Sequence, residues 1–177
     1  IDVSQFEKLD EIPYDFIRKR LTILVRDKEK NTSTIITKGA FKNVFNVCSK
    51  ARVLTKEVDL NEVKSKIEKD IEKLSAEGKR VLGIAIKETG DTKINTSSEY
   101  DLTFVGLLVF SDPPKPGISQ TIEQLKSLGV TLKIISGDNK LVAKALASQI
   151  GFANPRVLAC DEFKHMNEEE LAALANS

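Results

Sequence analysis

The chain has one histidine, two cysteines and almost no net charge, and each shortage removes a class of function. His165 stands beside Met166 in a polar stretch, so neither a His-based zinc site nor a Ser/His/Asp triad is supported. Cys48 and Cys160 lie far apart and match no metal-ligand spacing, and no metal-binding residues are assigned. Two cysteines make no disulfide framework in 177 residues, so a reducing, cytosolic setting is expected. Lys plus Arg number 27 against 26 Asp plus Glu, a formal charge of +1. That balance offers no electrostatic case for nucleic acid or an anionic membrane surface. The longest apolar run, Phe104 to Phe110, is far too short to span a bilayer. No signal peptide is visible and the first residue is Ile1 rather than Met, so a piece of a longer protein is expected.

What is present has the profile of a globular protein, with 41% hydrophobic and 30% charged residues. The front half reads as antiparallel strands with helices. Residues 1–13 look like an irregular lead-in closed by Pro13. Leu21 to Val25 and Thr34 to Thr37 predict a hairpin around the polar turn Asp27 to Asn31. Phe41, Val44, Phe45 and Cys48 have helical spacing. Leu60, Val63, Ile67, Ile71 and Leu74 follow at intervals of 3, 4, 4 and 3, with Gly78 as the stop. Arg80 to Ile86 reads as a strand, and Lys87 to Glu99 as a polar loop.

The pattern then changes. Leu102 to Phe110 is apolar apart from Thr103, which predicts a strand buried on both faces. Pro113, Pro114 and Pro116 make a stiff connection, either an ordinary loop or a hinge. Ile118, Ile122, Leu125 and Leu128 form a helical stripe ended by Gly129. Val130 to Ile135 predicts a buried parallel strand, ended by Ser-Gly-Asp-Asn and followed by a helix from Lys140 to Ile150. Residues 102–150 therefore read as β-loop-α-β-turn-α, a doubly wound arrangement. Asn167 to Glu170 has capping-box spacing before a stripe from Leu171 to Ala175. The expected fold is α/β in two regions, 1–101 and 102–177. In the second, Ser136 and Asp138 would lie at a strand end, where ligands collect. A hydroxyl at a helix start suits a phosphate group, or the stretch is simply a helix cap.

Several motifs occur in a specific order: EIPYDFIRKRLTILV, TKGA, GKRVLGIA, VGLLVFSDPPKPG and IISGDN. In that order the chain resembles the P-type cation-transporting ATPases, and LDEIPYDF, ITKGAFKNVFNVCS and DEFKHMNEEELAALA are most similar to the magnesium-importing subgroup. The resemblance implies an α+β nucleotide-binding domain followed by part of a haloacid-dehalogenase-like phosphorylation domain. It implies that Tyr14 stacks on adenine and that Lys19 and Lys38 line the ATP pocket. Gly39 would let the backbone approach the nucleotide, Arg80 would contact phosphate or ribose, and Leu82 would form a pocket wall. In the phosphorylation domain Asp112 matches the DPP motif, and Ser136-Gly137-Asp138 matches TGD with Ser for Thr. Ser136 would hold a phosphoryl oxygen. Asp138 would lie near the phosphoryl group, or cap the following helix, or both.

One departure bounds the chemistry. The phosphorylated aspartate of the family lies in DKTGT, and its Mg²⁺ ligands in GDGxND; neither motif occurs in the 177 residues. The expectation is an excised part of a pump that binds ATP as MgATP and does not hydrolyse it. It would work on the cytoplasmic side of the cell membrane, with transmembrane and actuator domains of the same polypeptide as partners and no nucleic acid. Two other readings are a haloacid-dehalogenase-like phosphatase, which needs an Asp-x-Asp pair the expected strand ends lack, and a non-catalytic α/β interaction module.

Overall fold

A computed structural model describes residues 2–176. It opens with a ten-residue strand, β1 (Phe6–Asp15), where the sequence predicts an irregular lead-in. Strands β2 (Arg20–Asp27) and β3 (Thr32–Ala40) form the expected hairpin, paired in continuous register from Arg20↔Gly39 to Asp27↔Thr32. Asp27 closes its turn by accepting the amides of Glu29 and Lys30, at 3.0 and 3.2 Å. Helix α1 (Phe41–Phe45) is shorter than its apolar spacing suggests, because Cys48 already belongs to strand β4 (Cys48–Val53). That strand and β5 (Lys56–Asp59) have no counterpart in the sequence reading. They are short and mostly exposed, with too few apolar residues to show a period.

Helix α2 (Leu60–Ala76) runs as its spacing predicts and stops at Gly78, whose φ of 78° suits a residue without Cβ. Strands β6 (Arg80–Thr89) and β7 (Leu102–Phe110) complete a seven-stranded sheet in the order β1-β2-β3-β6-β7-β4-β5. The loop between them holds one turn of 3₁₀ helix, Thr96–Ser98, capped by the Asn95 side chain. β7 runs parallel to β4, while β1, β2, β3 and β6 pair antiparallel. Placement at the edge explains β1. Its charged residues blunt an exposed edge, and Pro13 falls within a register shift between Ile12 and Asp15, where a missing N–H breaks no ladder.

Two compact units emerge. One comprises the residues up to Ile71 with Val81–Phe110; the other comprises Glu72–Arg80 with the residues from Ser111 on. In the first, one sheet face buries Leu24, Ile35 and Ala85 with Val44 of α1 and Leu102 of β7. Phe45, Ala51, Leu60 and Phe104 make an adjoining core, where Phe41, Phe45 and Phe104 stand 4.9 to 5.9 Å apart. Each such ring pair contributes about 0.5–1.5 kcal/mol beyond burial.

β7 is not buried on both faces along its length: Leu102, Thr103 and Phe104 are buried, whereas Leu108, Val109 and Phe110 are exposed. The second unit contains helices α3 (Ile118–Ser127), α4 (Lys140–Gln149), α5 (Cys160–Phe163) and α6 (Glu168–Asn176). Asn167 and Glu170 form the expected capping box through bonds of 2.8 and 3.0 Å. The predicted stripe on α6 reaches Ala175, whose side chain, like that of Cys160, lies outside what is described.

Val130 to Ile135 is not a strand. Ile135 is fully exposed at 100%, and Val130 instead donates its amide to Leu125 O at 3.0 Å, closing the end of α3. An apolar run becomes a parallel strand only where neighbours accept its ladder, and no strand forms among the described residues from Ser111 on. These residues thus show helices and loops, and the expected parallel strand at 130–135 is absent.

Candidate functional site

Ladder register determines which side chains share a face in the first unit. Opposite residues of an antiparallel pair point the same way, so Leu21, Lys38 and Ile84 form one row across β2, β3 and β6. Leu82, two residues from Ile84, lies on the same face. On β1, Ile12 pairs with Thr22 and Asp15 with Arg20, leaving Pro13 and Tyr14 together opposite Leu21. This β-bulge re-aims the strand, so Tyr14 shares the face of Leu21 instead of following Ile12 into the core. Tyr14 is 51% exposed, and its ring meets that of Phe16 in a T-shaped contact, at 5.4 Å and 89°. Tyr14, Lys38 and Leu82 are therefore brought to one sheet face.

Lys19 and Gly39 meet through the backbone. Lys19 has a φ of 51° and stands where the chain turns from β1 into β2. Its carbonyl accepts the Ala40 amide at 2.9 Å, and its own amide bonds Asp15 O at 2.6 Å. Gly39 pairs with Arg20, and a Cβ there would fall on Lys19 O and within 2.6 Å of Arg20 Cα. Only a bare backbone fits. Among the described residues neither the Lys19 nor the Lys38 ammonium forms an ion pair, whereas Arg18 and Arg20 are both engaged.

Their partner is Glu99, which sequence reasoning missed. Its side chain is wholly buried and receives Arg18 Nη1 at 2.6 and 2.8 Å, Arg20 Nε at 2.8 Å and Thr22 Oγ1 at 2.6 Å. Burial alone would raise its pKa, but the Thr22 hydroxyl and the two guanidiniums outweigh that and hold it below the ordinary glutamate value. Nothing near Glu99 in sequence signals this. Its partners lie 77 to 81 residues away.

In the second unit Arg80, Asp138 and Ser136 form one network. Arg80 grips the Asp138 carboxylate with two bonds, Nε to Oδ1 at 2.8 Å and Nη2 to Oδ2 at 3.0 Å. Ser136 Oγ donates to Asp138 Oδ2 at 2.9 Å and accepts the Asp138 amide at 3.0 Å. The Arg80 bond and, less strongly, the Ser136 hydroxyl hold the Asp138 carboxyl below its usual range. Asp112 joins more loosely, 3.8 Å from Arg80 and largely exposed. Asp138 does not cap α4. Asn139 does, accepting the amides of Leu141 and Val142 at 3.0 Å. Burial pushes the pKa of the Cys48 thiol up to about 12, which disfavours the thiolate. Among the described residues no group of three or more His, Cys, Asp or Glu is arranged to hold a metal ion.

A family model for the P-type ATPase cytoplasmic domain N matches residues 3–117. The chain belongs to this family. It is 33% identical over 97% of its length to the magnesium-transporting ATPase, P-type 1, of Escherichia coli K12, and spans 19% of that relative. It is also 37% identical over 76% of its length to the plasma membrane-type calcium-transporting ATPase 12 of Arabidopsis thaliana, and spans 13% of it. The Saccharomyces cerevisiae calcium-transporting ATPase 1 is 30% identical over 94% of the chain, which spans 18% of that protein. The chain thus corresponds to about a fifth or less of these P-type ATPases, and the matched N-domain segment contains the whole seven-stranded sheet. Among its described residues no helix is long and apolar enough to cross a membrane.

Proposed function

We propose that this chain is the ATP-binding part of a P-type pump that couples ATP hydrolysis, through an aspartyl phosphate, to cation transport, with magnesium as the cation. The observation that carries the nucleotide reading is the bulge at Pro13–Tyr14, which turns an exposed aromatic onto the face of Lys38 and Leu82. A half-open ring offers a base a flat surface, and stacking of this kind is worth about 1–3 kcal/mol. Lys38 and Lys19 supply cationic groups with no ion-pair partner among the described residues, suited to phosphate oxygens. The bare backbone of Gly39 keeps the floor between them low.

MgATP enters this reading as substrate. Tyr14 holds the base, Leu82 walls it, and the lysines orient the phosphates. Arg80 is the further phosphate or ribose contact that the resemblance implies. Ser136, Asp138 and Asp112 belong to the phosphoryl-transfer side, in the beginning of a haloacid-dehalogenase-like phosphorylation domain, with Ser136 holding a phosphoryl oxygen. Catalysis there is positioning and charge neutralisation. The accepting aspartate is supplied by a DKTGT motif that these 177 residues do not contain, so this chain binds MgATP without turnover. It acts at the cytoplasmic side of the membrane, with transmembrane and actuator domains of the same polypeptide.

The test is calorimetric titration of ATP into the chain and its Tyr14→Ala variant. Loss of one stacking surface should weaken binding roughly tenfold while the circular dichroism spectrum is retained. Equal affinities would remove Tyr14 from the site.

A further inference from the structure

Glu99 is a buried carboxylate to which the proposed function gives no task, and its bonds converge on the turn that presents Tyr14. Arg18, held by both Glu99 oxygens, passes its second terminal nitrogen to Pro13 O at 2.8 Å. Pro13 is the first residue of the bulge and Arg18 immediately precedes Lys19, so one guanidinium braces both sides of Tyr14. The same turn is held within by Asp15 Oδ1, which accepts the amides of Ile17 and Arg18 at 2.9 and 2.6 Å. Arg20, bonded to Glu99 through Nε, extends Nη1 to Asn43 O on α1, at 3.2 Å. Thr22 spends its single proton on Glu99, so in its 2.9 Å bond with Thr37, the residue before Lys38, Thr37 is the donor. One carboxylate thereby sets β2, β3, α1 and the turn at Pro13–Lys19.

Asp15 closes that turn locally, but apolar packing does not hold it. Phe16 and Ile17 are 85% and 88% exposed, so apolar packing contributes little there, and Lys19 sits at a positive φ. A charge-assisted bond to a buried anion is strong enough to select one conformation. Thr22, Thr37 and Glu99 lie under the opposite sheet face from Tyr14 and Lys38, so Glu99 acts through the backbone it holds.

We infer that Glu99 is a positioning residue for nucleotide binding: with Arg18 it holds the Pro13–Lys19 turn in the conformation that presents Tyr14 to the base. This rests on the nucleotide reading above, and the experiment separates the two. ATP affinity is measured calorimetrically for the 177-residue chain, for Glu99→Gln, for Tyr14→Ala and for the double variant, with amide shifts of Ile17 to Lys19 followed by NMR. Glu99→Gln keeps shape and removes charge. It should weaken ATP binding about tenfold in the wild-type background and less than about twofold in the Tyr14→Ala background, because both changes remove the same contact. Arg18→Gln, which leaves Arg20 and Thr22 to satisfy Glu99, should show the same dependence on Tyr14 and serves if Glu99→Gln does not fold. An undiminished affinity in a folded Glu99→Gln or Arg18→Gln variant, or an equal loss in both backgrounds, overturns the inference while leaving the nucleotide site standing. Absence of ATP binding by the wild-type chain overturns the nucleotide reading itself, and the inference with it.

Discussion

At Gly39 a methyl group has nowhere to go, because β3 runs directly against the carbonyl of Lys19 and the Cα of Arg20. Gly39→Ala should therefore cost about 1–3 kcal/mol, the usual range for overpacking rigid backbone. Urea unfolding measures it, and a loss below about 0.5 kcal/mol would show that the turn yields easily. The same contact explains why the Lys-Gly-Ala stretch was legible in the sequence while its reason was not. Three consecutive residues do different jobs: an outward cation, a close approach, and an amide bonded to Lys19. Tyr14 and Lys38 could be picked out as a motif, but their common face follows from a bulge, and bulges leave no period in a charged edge strand. Glu99 was invisible for a different cause. A glutamate in a polar loop looks solvated until arginines from the other end of the unit surround it.

Elements whose partners lie close in sequence were the readable ones. The β2–β3 hairpin, α2, α3 and α4 form as their periodicity predicts, because each contains its own turn chemistry or apolar stripe. Two apolar runs of similar composition then diverge. Ile35 lies at 1% exposure between β2 and β6, whereas Ile135 lies at 100% in a segment without a ladder. Ile35→Ala should cost about 2–5 kcal/mol, and Ile135→Ala should stay within about 0.5 kcal/mol. Comparable losses in chemical denaturation would mean that residues 130–135 are packed after all. Strand β1 shows the converse. Its sequence carries little strand signal, yet β2 offers it an edge with unpaired amides and carbonyls, and that ladder holds it.

For the molecule as a whole, the buried Glu99 cluster makes acid a specific threat. Its folded-state pKa is depressed, because the hydroxyl and guanidinium partners outweigh burial. The stability it contributes is therefore complete above the ordinary value of 4.5 and is lost as pH falls through the lower folded-state value. Urea unfolding below pH 4.5 should show stability falling more steeply with acidification in the wild-type chain than in Glu99→Gln, and parallel slopes would contradict this. The amino-acid order by itself determined the hairpin, the helices with their stops, and the motif set that marks the P-type ATPase N domain, because those depend on neighbours within a few turns of chain. Only the tertiary structure decided that residues 130–135 stay unpaired, that a bulge turns Tyr14 toward the face of Lys38, and that Glu99 braces the turn between them. Each of these depends on which distant groups are present to accept a hydrogen bond or share a charge.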